Sequence, residues 1–201
     1  VQKNNKNKKM QEIKKFWDEG VSFEEYLVAA KHDYENMSEG EDMEMKEYYR
    51  LGIQRMERMV SRYHPDAGQK SLLSQMDFKG KILIISEPWC GDASQALPVI
   101  SAFFGTEHVR ITYRDKEPSL IDDFLTNGAK SIPVVIILNE TFEVLNVWGA
   151  RPQYGKELLE IYKQNPETYS KEQFHNDLQV YYAKNKGYDT IKEILEMISL
   201  W

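Results

Sequence analysis

The sequence holds one cysteine, and it stands in the run Ser86-Glu87-Pro88-Trp89-Cys90-Gly91-Asp92-Ala93. Residues 81–86 read as a buried strand bounded by Gly80 and Pro88, and helical spacing takes over from near Gly91 to Phe104. A sulfur at such a junction faces backbone N–H groups that the first helical turn leaves unpaired, together with the positive end of the helix dipole. Both favour thiolate, and positions of this kind lower a thiol pKa from about 8.5 to roughly 3.5–7.5. Asp92 opposes the effect through its negative charge, so the expected shift is downward and modest. The bland alternative is a buried, inert cysteine packed as a small hydrophobe, and spacing alone does not separate the two.

Other chemistries find less support. His32, His64, His108 and His175 are scattered, with no paired spacing to one another or to Cys90, so no metal site is expected. Asp122-Asp123 and the acidic stretch from Glu39 to Glu44 lack a calcium-loop pattern and read as solvated surface. No glycine-rich phosphate loop occurs, and no cofactor is expected.

The elements that must position Cys90 follow from the apolar pattern. Of 201 residues, 41% are hydrophobic and 12% aromatic, enough for a packed core. The formal charge of -6 weighs against nucleic acid as a partner. The longest apolar runs, 82–85 and 133–138, are too short to cross a bilayer, so no membrane partner is expected. No apolar leader follows the N-terminal lysines, and a lone cysteine fits a reducing compartment, so cytoplasm is the expected location. A leader removed before Val1 would leave no trace here.

Residues 1–9 are Asn/Lys-rich and predict a disordered tail. A helical extension is expected over 10–70. Phe23, Tyr26, Leu27 and Ala30 lie on one face behind a Ser22/Glu25 capping box, and Tyr48, Leu51, Met56, Met59 and Val60 suggest another amphipathic helix, stopped at 64–68. The remainder, 71–201, then alternates. Strands are expected at 81–86, 109–114, 134–138 and 144–148, with helices at 91–104, 118–125 and 153–164. Two more helices fill 171–201, broken at Asn185-Lys186-Gly187. Strands joined through a helix lie parallel, and the last two form a hairpin, which gives an α/β fold with a mixed sheet.

At this point the residues carry a resemblance. Trp89-Cys90-Gly91-Asp92 is similar to the thioredoxin active-site turn, Trp-Cys-Gly-Pro-Cys. Pro98 stands where thioredoxins have a helix-kinking proline, Ile132-Pro133 resembles their cis-proline segment, and Gly149 matches the glycine that ends their sheet. This likeness spans about 79–162. A closer one, to a bacterial thioredoxin-like family with a helical N-terminal extension, adds Arg55-Met56-Glu57-Arg58, Ala93, Thr126-Asn127-Gly128, Ser131 and Trp148-Gly149-Ala150-Arg151-Pro152. The resemblance implies a thioredoxin-like fold with Pro133 beside the sulfur. It also implies a groove in which the Ser131 and Ile132 backbone meets an extended partner, with Trp89 shielding the thiol. Arg151, just past the last strand, is expected to approach Cys90 and support a thiolate.

Two departures restrict the chemistry. Ala93 takes the position of the resolving cysteine, so a mixed disulfide on Cys90 has no internal way out. Ile84 takes the place of the buried acid that thioredoxins use as a proton relay. Three readings stand: a monothiol oxidoreductase regenerated by an external thiol, a non-catalytic module that binds a protein in the Cys90/Pro133 groove, and a reversible thiol sensor. The first is preferred, because a pure binding module has no need of the sulfur. The partner is then a protein or small-thiol disulfide. The sequence does not name an oligomeric state.

Overall fold

In the computed structural model, residues 2–38 and 43–201 are described, with side chains from residue 5 onward within that range. Residues 39–42, part of the acidic stretch, lie outside it. Four strands form one sheet: β1 (Lys81–Ser86), β2 (Val109–Tyr113), β3 (Val134–Leu138) and β4 (Val144–Gly149), in the order β2-β1-β3-β4. β1 and β2 are parallel; β3 is antiparallel to β1 and β4. Ile82–Ile85 of β1 and all of β3 are buried, which explains their unbroken apolar runs: each has a paired neighbour on both sides and packing on both faces. The free edge of β2 is met by Val21, which exchanges two backbone bonds of 2.9 Å with Ile111.

Among the described residues eight helices surround the sheet: α1 (Gln2–Glu19), α2 (Phe23–Asn36), α3 (Met43–Arg62), α4 (Ala67–Met76), α5 (Ala93–Phe104), α6 (Gln153–Gln164), α7 (Lys171–Asn185) and α8 (Tyr188–Ile198). α5 follows the cysteine turn and is buried along nearly its whole length. The Ser22/Glu25 capping box forms as expected. One hydrophobic core runs from Ile13 and Phe16 of α1, through α2, α3, the sheet and α5, to Ile191 and Ile198 of α8. A smaller cluster joins α6 to α7 through Leu158, Phe174, Leu178 and Tyr182.

Three expectations need correction. Residues 2–9 belong to α1 rather than to a disordered tail. Downstream in the same helix, Ile13, Phe16 and Trp17 are buried in the core, while Lys6 pairs with Glu143 at 2.6 Å and Lys9 lies 5.0 Å over the Phe124 ring. The helix expected at 118–125 is a single 3-10 turn, Ile121–Asp123. Its buried anchors, Leu120 and Ile121, are adjacent and define no helical stripe. Beyond the stop at 64–68, Asp66 caps the additional helix α4 by accepting from the Gln69 N–H at 2.9 Å.

Two glycines set close approaches. A Cβ at Gly52 of α3 would lie 2.3 Å from the carbonyl oxygen of Pro88, so α3 rests directly on the cysteine turn. Gly149 (φ 154°) ends β4 against the Pro133 carbonyl, where a Cβ would also fall at 2.3 Å.

Candidate active site

The turn that leaves β1 closes on itself: the Cys90 N–H donates to the Glu87 carbonyl at 3.0 Å. Cys90 lies just ahead of α5, where its carbonyl accepts from the Ser94 N–H at 3.0 Å and the Asp92 carbonyl accepts from Gln95 and Ala96 at 3.1 Å. The Ala93 N–H reaches the sulfur at 3.5 Å. The thiol donates to the Ile132 carbonyl at 3.3 Å, which brings the segment Ser131, Ile132 and Pro133 to the sulfur; the Ile132–Pro133 peptide is cis. Ile132 and Pro133 are buried and Ser131 is half-buried at the groove wall. Trp89 lines the space beside Cys90, with the Arg114 guanidinium 4.7 Å from its ring centroid.

Cys90 is only 7% exposed. Burial pushes its thiol up to about 12, Asp92 adds to the rise, and the N–H groups of Ala93 and Asp92 and the charge of Arg151 only partly offset it. The expected downward shift is therefore reversed. Helix-end donors do act on the sulfur, but the cost of placing an anion in a dry site outweighs them.

Asp92 does not cap α5. Its carboxylate turns inward, accepting from Arg151 Nη2 at 2.7 Å and from the Tyr182 hydroxyl at 2.6 Å. Burial raises its pKa, against the pull of Arg151 and Tyr182. Arg151, expected to serve the sulfur, is thus committed to Asp92 and acts on Cys90 only at longer range. Gly91 packs under the Arg55 guanidinium: a Cβ there would stand 3.3 Å from Nη1. Ala93, in the place of a resolving cysteine, is buried in the core.

The sulfur stands between two cavities. One, of about 690 Å³, is the groove along Ser131 and Ile132, rimmed by Lys130, Lys156 and Lys163. The other, of about 450 Å³, lies between α3, the turn and α7, and is lined by Leu51, Arg55, Arg151, Phe174 and His175. Arg55, Tyr182 and His175 are site residues that the sequence reading did not assign. His175 is 85 positions from Cys90, and only the docking of α7 brings it near. Gly52, set among the buried Ile53 and Met56 of an amphipathic helix, was the one local sign of a close approach.

These buried acids imply a loss of stability in alkali. In the unfolded chain Cys90 ionises near its ordinary 9.0, in the folded chain near 12, so above pH 9 the unfolded state sheds the proton first. Stability contributed by Cys90 is intact below pH 9 and should fall by up to about 1.4 kcal/mol per pH unit above it. Tyr26 and Tyr182, both held well above 10 by burial, steepen the fall beyond pH 10. Urea unfolding at pH 8, 9 and 10 measures this, and Cys90→Ser should remove the decline between 9 and 10.

No helix of the described residues is long and apolar enough to cross a membrane. No curated protein matches the sequence. Two solved structures are similar. One is a protein of unknown function from Pseudomonas aeruginosa, with 17% identity and a TM-score of 0.54 over 90% of this chain and 93% of that one. The other is an HIV epitope scaffold, with 14% identity and a TM-score of 0.55 over 93% and 97%. At these identities the likeness speaks for the fold alone. A family model described as thioredoxin matches residues 37–164, which hold the cysteine turn, the whole sheet and α6. With that match over more than half its length, and the mixed sheet and flanking helices in place, the chain belongs to this thioredoxin family.

Proposed function

We propose that the protein exchanges thiols and disulfides through Cys90 alone. The observation that carries this reading is the placement of the sulfur, bonded to the Ile132 carbonyl and opening on two cavities large enough for a disulfide. In the first step the Cys90 thiolate attacks one sulfur of RSSR, forming a Cys90–SR mixed disulfide and expelling RS⁻, which takes up a proton. In the second, an external thiolate R′S⁻ attacks the R sulfur, forming RSSR′ and returning Cys90 as thiolate. The sum is RSSR + R′SH → RSSR′ + RSH, with no second protein thiol required.

The protonated resting thiol favours a second reading, in which the groove binds a protein segment without turnover. One experiment separates them. Folded protein is incubated with bis(2-hydroxyethyl) disulfide from pH 7 to 10 and followed by intact mass. Exchange predicts one adduct, located on Cys90, reversed by added thiol and missing in Cys90→Ser. Its rate should climb about tenfold per pH unit with no plateau below pH 10, because the thiolate fraction does so far below the pKa. If the folded protein gains no adduct at pH 9 while urea-unfolded protein does, exchange is refuted and the binding reading takes its place.

A further inference from the structure

The 450 Å³ cavity beside Cys90 carries more positive charge than the fold accounts for. Arg55 projects from α3 over Gly91, half-buried, yet among the described residues no carboxylate, carbonyl or hydroxyl bonds to its guanidinium. Burial lowers its pKa, the mark of a cation without a close counter-ion. Across the cavity, Arg151 spends Nη2 on Asp92, while its Nη1 is buried with no partner. Lys171 of α7 adds a third cation. Three permanent cations thus face one carboxylate, Asp92, in a chain whose formal charge is -6. His175, on the same wall, feels these charges: after burial, its pKa is pushed down by Lys171, Arg151 and Arg55, with Asp92 pulling the other way. Leu51, Trp89 and Phe174 give the wall an apolar stretch, beside the polar Tyr48 and Gln179.

From this arrangement we infer that the cavity binds the carboxylate end of a low-molecular-weight thiol or disulfide, gripped by Arg55, with the ligand's sulfur at the Cys90 end. The inference rests on the exchange reading and names its substrate class. A guanidinium presents paired donors that match a carboxylate, and the bond is strongest where water is partly excluded. Leu51, Trp89 and Phe174 would pack the methylenes between carboxylate and sulfur. A neutral disulfide of the same length leaves Arg55 as it stands and gains only this apolar contact.

The test uses the 201-residue chain carrying Cys90→Ser, so that no covalent step intervenes. It is titrated with 3,3′-dithiodipropionate, which carries two carboxylates, and with neutral bis(2-hydroxyethyl) disulfide, while the His175 ring signals are followed by NMR. The dianion should bind at least about tenfold more tightly and raise the His175 pKa, since it brings negative charge among the cations. Adding Arg55→Gln should erase the preference. Arg55→Lys keeps the charge without the fork and should retain part of it. Circular dichroism checks that each variant folds. Should Arg55→Gln unfold, a fall in dianion affinity with added salt, absent for the neutral compound, stands in for it. Equal binding of the two compounds, binding of neither, or a preference untouched by Arg55→Gln in folded protein overturns the inference. Adduct formation by the wild type decides the exchange reading separately, so failure of one is distinguishable from failure of the other.

Discussion

Replacing Asp92 with asparagine is expected to speed alkylation of Cys90 at pH 8 by about tenfold or more while lowering the stability of the fold. The carboxylate raises the thiol pKa second only to burial. Without its charge, the thiolate is relieved of a buried anion two residues away and gains the full field of Arg151. Each unit by which the pKa falls multiplies the thiolate fraction about tenfold. The stability cost has a separate source. Arg151, with a side chain 18% exposed, loses its only ion-pair partner among the described residues. Breaking such a pair from one side costs about 3–5 kcal/mol when fully buried, and somewhat less here because asparagine still offers one acceptor. Iodoacetamide kinetics and urea unfolding measure the two effects. Tyr182→Phe is the control for loosening alone: it removes a hydrogen bond to the same carboxylate and leaves the charge, so it should destabilise without lowering the thiol pKa. An unchanged rate in Asp92→Asn would mean that the sulfur does not sense this charge.

The second large effect is expected at Gly52→Ala. In an isolated helix the change is favourable by about 1 kcal/mol. Here the new methyl would sit 2.3 Å from the Pro88 carbonyl oxygen, a backbone atom in the tight turn that holds Cys90. Neither partner is a side chain that can swing aside, so α3 must lift or the turn must shift. Overpacking of this kind costs about 1–3 kcal/mol. A net loss of about 1 kcal/mol, and at most about 2, is expected in urea unfolding, together with faster alkylation of Cys90 as α3 rises from the turn. A stabilised Gly52→Ala protein with an unaltered thiol would show that α3 does not bear on the turn.

The strands and α5 were readable because their patterns are local. Residues 82–85 and 134–138 are apolar without interruption, as doubly covered strands must be, and the Ser22 capping box stands in four consecutive residues. The position of Cys90 against Ile132 also followed, from the resemblance rather than from periodicity. The charge state of the sulfur did not. It depends on how completely α3 and α7 exclude water from the turn, and such exclusion is set by tertiary docking that no window of sequence contains. For the same reason the ion pair between Arg151 and Asp92 was not legible, although the charge of Arg151 does act on Cys90 in the expected direction: the pairing is decided by the β4–α6 connection and by Tyr182, 90 positions from Asp92. The 118–125 segment misled because Pro118 is an authentic helix-start signal that, with Leu120 and Ile121 as its only buried residues, had no stripe to bury.

The family match stops at residue 164, but the hydrogen bonds that complete the sheet and the turn do not. Glu193 of α8 accepts from the Trp148 indole at 2.6 Å and from the Gln153 N–H at 2.7 Å, while Tyr182 of α7 reaches Asp92. Trimming the polypeptide to the portion the family model matches would strand an indole and a carboxylate in the interior. The residues beyond 164 are therefore part of the foundation, and a minimal version of this protein has to keep those of α7 and α8.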